Sequence, residues 1–271
     1  MQYSMSIDYL TKTMDMAAAA NLLAENDFTA VDYSPKVSSE DWERCTQSDL
    51  AALRGARLTV FQTHAPFNRY GGYGERHREL VARGLEITAR MGARYMVVHG
   101  DEFSGAPESW SPAAALAFNH DYFLPTVERA KSYGIGVAFE NVFNDGLPTP
   151  RNCSDIEQLL SLVRSFDTGN VSVCWDFGHA QVAFGEAHPQ RLAEVAPLVS
   201  CTHVHDNNGA MDLHIPPFLG KVDWKACVAA LKEADYKGTW NFELVAGKIP
   251  SALAPDFLRA LRHAGELIWE E

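Results

Sequence analysis

Val171-Ser172-Val173-Cys174-Trp175-Asp176 is a short apolar, β-branched and aromatic run that ends in a carboxylate. A strand core holds little water, so an ionisable group at its end needs a counter-charge, a hydrogen-bond network or a metal ion. Outward along the chain in both directions the pattern recurs. Residues 58–64 end in His64, 95–99 in His99, 137–140 in Glu140, 199–203 in His203 and 240–243 in Glu243. Successive groups lie roughly 27 to 41 residues apart, about what one strand and one crossover helix consume. Six such groups at matching strand ends imply one shared site.

The rest of the chain fills in alternating elements. Strands are expected at 2–7, 28–33, 58–64, 95–99, 136–141, 171–176, 199–206 and 238–244. Helices are expected near 14–24, 40–54, 75–91, 111–134, 154–165, 189–196, 224–234 and 252–269. Ser111-Pro112 is a strong helix start, Gly92 and Gly134 are helix stops, and Pro125 should kink or divide its helix. Eight strands and eight helices predict a (β/α)8 TIM barrel, and no linker divides residues 1–271 into two domains. A doubly wound open sheet would usually carry a glycine-rich turn after its first strand, and Ser4 to Lys12 offers none.

In such a barrel the site forms at the carboxyl ends of the strands. His64, His99, Glu140, Asp176, His203 and Glu243 therefore converge on one rim, with His179 close behind Asp176 and with Asp212 and His214 on the loop after the seventh strand. Imidazoles and carboxylates suit Zn, Mn or Co, or Mg where oxygen ligands dominate. His203 and His205 share one strand face, so spacing alone does not choose between them. The strands bearing Glu140 and Glu243 carry no nearby cation. His77, His120, His188 and His263 are expected at the surface.

Composition narrows the partners. The chain has 23 basic and 35 acidic residues, a net charge of −12, which disfavours polyanions. Residues 100–110 and 206–218 are acid-rich and almost free of cations, which suits a small neutral polyol. No glycine-rich loop or Lys/Arg pair marks a phosphate site. Five scattered cysteines without a C-x-x-C pair read as free thiols in a reducing, cytoplasmic compartment, with Cys174 and Cys201 as core residues. Asp8, Lys12 and Asp15 interrupt the amino-terminal apolar residues, which fits neither a signal peptide nor a membrane span. Phe67, Phe103 and Trp110 are candidates for lining the pocket or a homo-oligomer contact.

The segments Val137-Ala138-Phe139-Glu140-Asn141, Cys174-Trp175-Asp176-Phe177-Gly178-His179-Ala180, Thr202-His203-Val204-His205-Asp206-Asn207 and Asn241-Phe242-Glu243 resemble the signatures of the xylose isomerase-like barrel superfamily. The resemblance is particularly to its sugar isomerase and epimerase branch, related to ketose 3-epimerases. The most specific element is Asp176-x-x-His179 followed by His203-x-x-Asp206. The resemblance implies one divalent ion held by Glu140, Asp176, His203 and Glu243, with His203 preferred to His205. It also implies that Glu140 and Glu243 move protons through an enediolate held on that ion, interconverting small aldoses and ketoses, with His179 touching a substrate oxygen.

Two other activities resemble the same pattern. His64, His99, Glu140, Asp176, His179, His203, Asp212, His214 and Glu243 match the three-metal set of endonuclease IV-type AP endonucleases, against which the acidic charge argues. An inosose dehydratase-like lyase is the other. An arginine that some ketose epimerases place just after the strand-seven histidine is missing between Asp206 and Met211.

Overall fold

The computed structural model describes residues 1–67, 74–100, 107–144, 146, 149–244 and 249–270. Its strands are β1 (Gln2–Ser6), β2 (Ala30–Tyr33), β3 (Thr59–His64), β4 (Tyr95–His99), β5 (Gly136–Glu140), β6 (Val171–Asp176), β7 (Val199–His203) and β8 (Thr239–Phe242). All pair in parallel in the order β7-β6-β5-β4-β3-β2-β1-β8. The two edge strands close the ring just above their ends, where Val204 N–H donates to Asn241 O (2.7 Å) and Glu243 N–H donates to Val204 O (3.1 Å). The TIM barrel expected from the sequence is therefore present.

The helices are α1 (Asp8–Thr11), α2 (Met16–Glu25), α3 (Trp42–Gly55), α4 (Glu75–Met91), α5 (Pro112–Ser132), α6 (Ile156–Ser165), α7 (Phe177–Phe184), α8 (His188–Val195), α9 (Trp224–Glu233) and α10 (Ala254–Glu270). Ser111 caps α5 by accepting from Ala114 N–H at 3.1 Å, and α5 runs undivided through Pro125. α7 is absent from the sequence reading because Gly178 and its eight-residue length weaken the helical pattern. Its start is fixed by Asp176, whose Oδ1 accepts from His179 N–H at 2.6 Å. The strand-end carboxylate is thus also a helix cap.

Two apolar regions sandwich each strand. Outward-facing Val98, Phe139, Trp175 and Phe242 pack under the helices, whereas Ala30, Phe61, Val97, Ala138, Cys174 and Cys201 fill the barrel interior. Side chains two residues apart on a strand share a face, so Ala138, Cys174 and Cys201 place Glu140, Asp176 and His203 in the next layer up. The five cysteines are free thiols. No helix among the described residues is long and apolar enough to cross a membrane.

The loop after β7 is tied down by Asp206, which has no solvent exposure. Its carboxylate accepts from the backbone N–H of Asn207 (2.9 Å), Phe218 (3.1 Å) and Val222 (3.1 Å), and from Trp224 Nε1–H (3.1 Å). Removing a charged acceptor leaves several buried donors unmatched, each costing about 1–3 kcal/mol. Asp206→Ala is expected to lower the unfolding free energy by about 3 kcal/mol or more and to loosen Asp212 and His214. Urea melts check the first effect; a midpoint shift no larger than that of a surface Asp→Ala control would remove it.

Candidate active site

Every strand from β3 to β7 delivers its terminal side chain to the same rim, and Glu243 follows β8 directly. Glu140 sits at the centre, 1% exposed. Its Oε2 lies 3.1 Å from His64 Nε2 and 3.3 Å from His99 Nε2, and its Oε1 lies 3.2 Å from His179 Nδ1 and 3.3 Å from His203 Nδ1. The cation that its own strand lacks is supplied by four imidazoles from other segments. Burial pushes the Glu140 carboxyl up, but His203, His99 and His179 outweigh it and hold it well below the usual range. Burial likewise lowers the His64 imidazole, and the Glu140 hydrogen bond and charge lift it instead to about 9.

His203 is fully buried. Its Nδ1 lies 3.2 Å from Glu243 Oε2 as well as 3.3 Å from Glu140, and its Nε2 lies 3.2 Å from Asp32 Oδ2. Neither nitrogen makes a well-directed hydrogen bond. An imidazole nitrogen ringed by carboxylates without a directed bond suits a metal ligand. Donor atoms of Glu140, Asp176, His203 and Glu243 all lie within 4.8 Å of one another. Three carboxylates and one imidazole fit a hard or borderline divalent ion.

His205 falls elsewhere. Its Nε2 pairs with Asp176 Oδ2 at 2.9 Å, and its ring stacks on His214 with centroids 3.8 Å apart. It reaches this place beneath α7 because residue 178 is glycine; a Cβ there would meet the His205 ring at 1.9 Å. The outer residues form a second constellation. His214 Nε2 lies 3.0 Å from Asp212 Oδ2 and His179 Nε2 3.5 Å from the same atom, and donor atoms of all three lie within 4.8 Å of one another. Burial lowers His214 but Asp212 and Glu243 lift it to about 9. Burial raises Asp212 but His179 and His214 hold it far below the usual range.

His64, His99, Glu140, His179, Asp212, His214 and Glu243 line a cavity of about 150 Å³ together with Phe67, Phe143 and Arg151. A neighbouring cavity of about 470 Å³ shares His64, Phe67, His214 and Glu243 with it and extends toward Ser6, Asp8, Lys12 and Ser34. Phe67 stacks on His99 at 4.7 Å between centroids. Phe103 lies outside the described residues, and Trp110 is not part of either wall.

The match to a family model spans residues 20–264 and describes a xylose isomerase-like TIM barrel. The chain belongs to the xylose isomerase-like TIM barrel family. The chain is 29% identical over 205 residues to the uncharacterized protein MJ1311 of Methanocaldococcus jannaschii, covering 72% of this chain and 67% of the relative. It is 35% identical over 196 residues to the uncharacterized protein y4fM of Sinorhizobium fredii, covering 68% of this chain but only 56% of that relative.

Solved structures of similar fold include a D-tagatose 3-epimerase-like protein, with TM-score 0.76 and 23% identity over 100% of this chain and 99% of the other. They also include IolI protein with a bound zinc atom, with TM-score 0.79 and 14% identity over 99% and 98%. At these identities the likeness is one of fold.

All ten sequence-predicted site residues meet at this rim. Sequence reading missed Asp32 and Arg151. Asp32, 3% exposed, stands one residue before the end of β2, so a search for runs ending in a charged group passes over it. Arg151 precedes α6 and places a buried guanidinium on the cavity wall, where the rim loops alone suggested almost no cations. His77 and His188 are corrections to the surface assignment, since both are buried. His77 bridges Tyr122 Oη and Pro66 O. His188 accepts from Trp175 Nε1–H at 3.2 Å, and burial pushes its imidazole down to about 3.

Asp32 also accepts from Gln62 Nε2 (3.2 Å) and Asn241 Nδ2 (3.3 Å). A carboxylate behind a ligating histidine fixes the ring and raises its basicity, and its loss typically costs 10–100-fold in metal affinity. Asp32→Asn is expected to weaken binding of a divalent ion by at least about tenfold, read by competition with a chromophoric chelator. An unchanged affinity would separate Asp32 from the centre.

Proposed function

We propose that the protein is a divalent-metal-dependent isomerase or epimerase of small aldoses and ketoses. The observation that carries this reading is the convergence of Glu140, Asp176, His203 and Glu243, donor atoms within 4.8 Å of one another, two of which, Glu140 and Glu243, line the adjoining cavity. Those four residues would hold the ion, with Mn, Mg, Co and Zn all compatible with the donors. A bound ion would polarise a carbonyl and its neighbouring hydroxyl, making the carbon-bound proton acidic.

Glu140 and Glu243 supply the proton-moving pair. They approach His203 Nδ1 from different strands, at 3.3 and 3.2 Å. Glu243, with a side chain 24% exposed, opens onto both cavities, while Glu140, 1% exposed, lines only the smaller one. One removes the proton and the other returns it, to the same carbon for an epimer or to the neighbouring carbon for an aldose-ketose pair. His179, which lines the same cavity, would touch a substrate oxygen. The free thiols favour the cytoplasm.

Incubation with a ketose in deuterated water should place deuterium next to the carbonyl, and Glu243→Gln should abolish the exchange. Water loss from an inositol-like substrate begins with the same proton abstraction, so product analysis separates a dehydratase. A second reading, phosphodiester hydrolysis with three ions, has one observation in its favour. His179-Asp212-His214 and His64-Glu140-His203 also bring their donor atoms within 4.8 Å. Three ions per chain with nicking of abasic DNA would establish that reading; one ion without nicking would retire it.

A further inference from the structure

A cavity of about 640 Å³ opens at the other end of the barrel, lined by Arg94, Tyr95, Lys131, Thr168, Asn170 and Ser172 among others. It shares no lining residue with the candidate active site. Tyr95 begins the strand that His99 ends, Gly136 begins the strand that Glu140 ends, and Ser172 lies near the start of the strand that Asp176 ends. The two sites therefore sit at opposite mouths of the same strands.

The chemistry of this cavity is opposite to that of the chain as a whole. Acidic residues outnumber basic ones 35 to 23, yet among the described residues no carboxylate lines it, and two cations do. Neither Arg94 nor Lys131 forms an ion pair among the described residues, and Arg94 rests over the Phe61 ring at 6.0 Å. Thr168 Oγ1, Asn170 Oδ1 and Ser172 Oγ are buried with no hydrogen-bond partner. Ser172 is only 9% exposed. The Asn170 amide is oriented by donation from Nδ2 to Val127 O and Ile135 O, both at 3.1 Å, so Oδ1 is left as an acceptor.

Gly136 is needed here because a Cβ would meet the Tyr95 ring at 2.5 Å. Buried polar atoms in native proteins normally find partners, and an unmatched one costs about 1–3 kcal/mol. Ser172, nine-tenths buried on the wall of this cavity and unpartnered among the described residues, points to an external partner. Cationic donors answer an oxyanion; two hydroxyls and a fixed amide oxygen answer hydroxyl groups.

We infer that the amino-terminal mouth of the barrel binds a small hydroxylated oxyanion, a phosphomonoester or carboxylate of a short polyol. Arg94 and Lys131 hold the charged end, and Thr168, Asn170 and Ser172 read the hydroxyls. The site is independent of the metal cluster and of the reaction proposed there.

Isothermal titration with inorganic phosphate, glycerol 3-phosphate and glycerate tests it, the last two distinguishing a phosphate source from a carboxylate one. One of the two hydroxylated ligands should bind saturably and more tightly than inorganic phosphate. The exposed double variant Arg94→Gln/Lys131→Gln should weaken it by at least about tenfold, and Ser172→Ala should erase the advantage over inorganic phosphate. Arg78→Gln, on another face, should leave binding intact. Affinity unchanged in the double variant would assign any binding to the metal end and overturn the inference. So would the absence of saturable heat at millimolar ligand, or equal affinity for all three ligands irrespective of Ser172.

Discussion

Glu140→Gln is expected to abolish deuterium exchange into a ketose and to strip the barrel mouth of its ion. The substitution preserves shape and removes one charge, which here is shared by four imidazoles at 3.1–3.3 Å. A carboxamide offers one acceptor oxygen where the carboxylate offers two, and its NH2 would face imidazole nitrogens that also carry protons. Loss of a positioned proton-transfer group alone costs typically 10²–10⁴-fold in rate. Loss of a ligand oxygen at the centre of the cluster adds to it, so exchange should fall by at least about 10³-fold. Stability should change less than the roughly 3–5 kcal/mol of a broken buried ion pair, because histidines that lose their counter-charge can release protons. Mass spectrometry of exchanged sugar, metal analysis and urea melts read the three effects. Exchange within tenfold of wild type, with metal content retained, would take Glu140 out of the mechanism.

The barrel and its rim were legible in the sequence because both depend on local pattern. A β-branched run that terminates in Glu140 or His203 announces a strand and a polar mouth at once. Residues whose role is set by tertiary packing were not legible. Asp32 shares the inward face of β2 with Ala30, but only the barrel's closure brings it to His203 from across the interior. His188 opens a surface-like helix, yet Trp175 and Gln181 enclose it. Asp206 was visible only as a motif position at the end of the seventh strand, whereas its four donors make it an organiser of the segment that carries Asp212 and His214. Arg151 is separated from the Glu140 strand end by a loop whose path no periodicity encodes.

The larger consequence of the clustered imidazoles is a change in the sign of the pH dependence when metal is bound. In the metal-free protein His64 and His214 are lifted from the ordinary 6.5 to about 9, and His179 and His203 are raised as well. A raised imidazole contributes stability that is complete below 6.5 and is lost as pH rises through about 9. Glu140, Asp176 and Asp212 are lowered, so their contribution is complete above the ordinary carboxyl values and is lost only in acid. The metal-free protein should therefore melt progressively lower from about pH 6.5 to about pH 9. Metal binding reverses this trend because a ligating histidine must shed its proton, so affinity rises over the same interval. Ion at about a thousand times its dissociation constant adds about 4 kcal/mol, equivalent to a Tm increase of about 10 °C for a chain of this size. Thermal melts with excess divalent ion and with chelator should thus diverge, the gap being small near pH 6 and reaching about 10 °C near pH 9. A gap of constant size would mean that the ion takes only carboxylate oxygens, and that the imidazoles around Glu140 are fixed counter-charges rather than ligands.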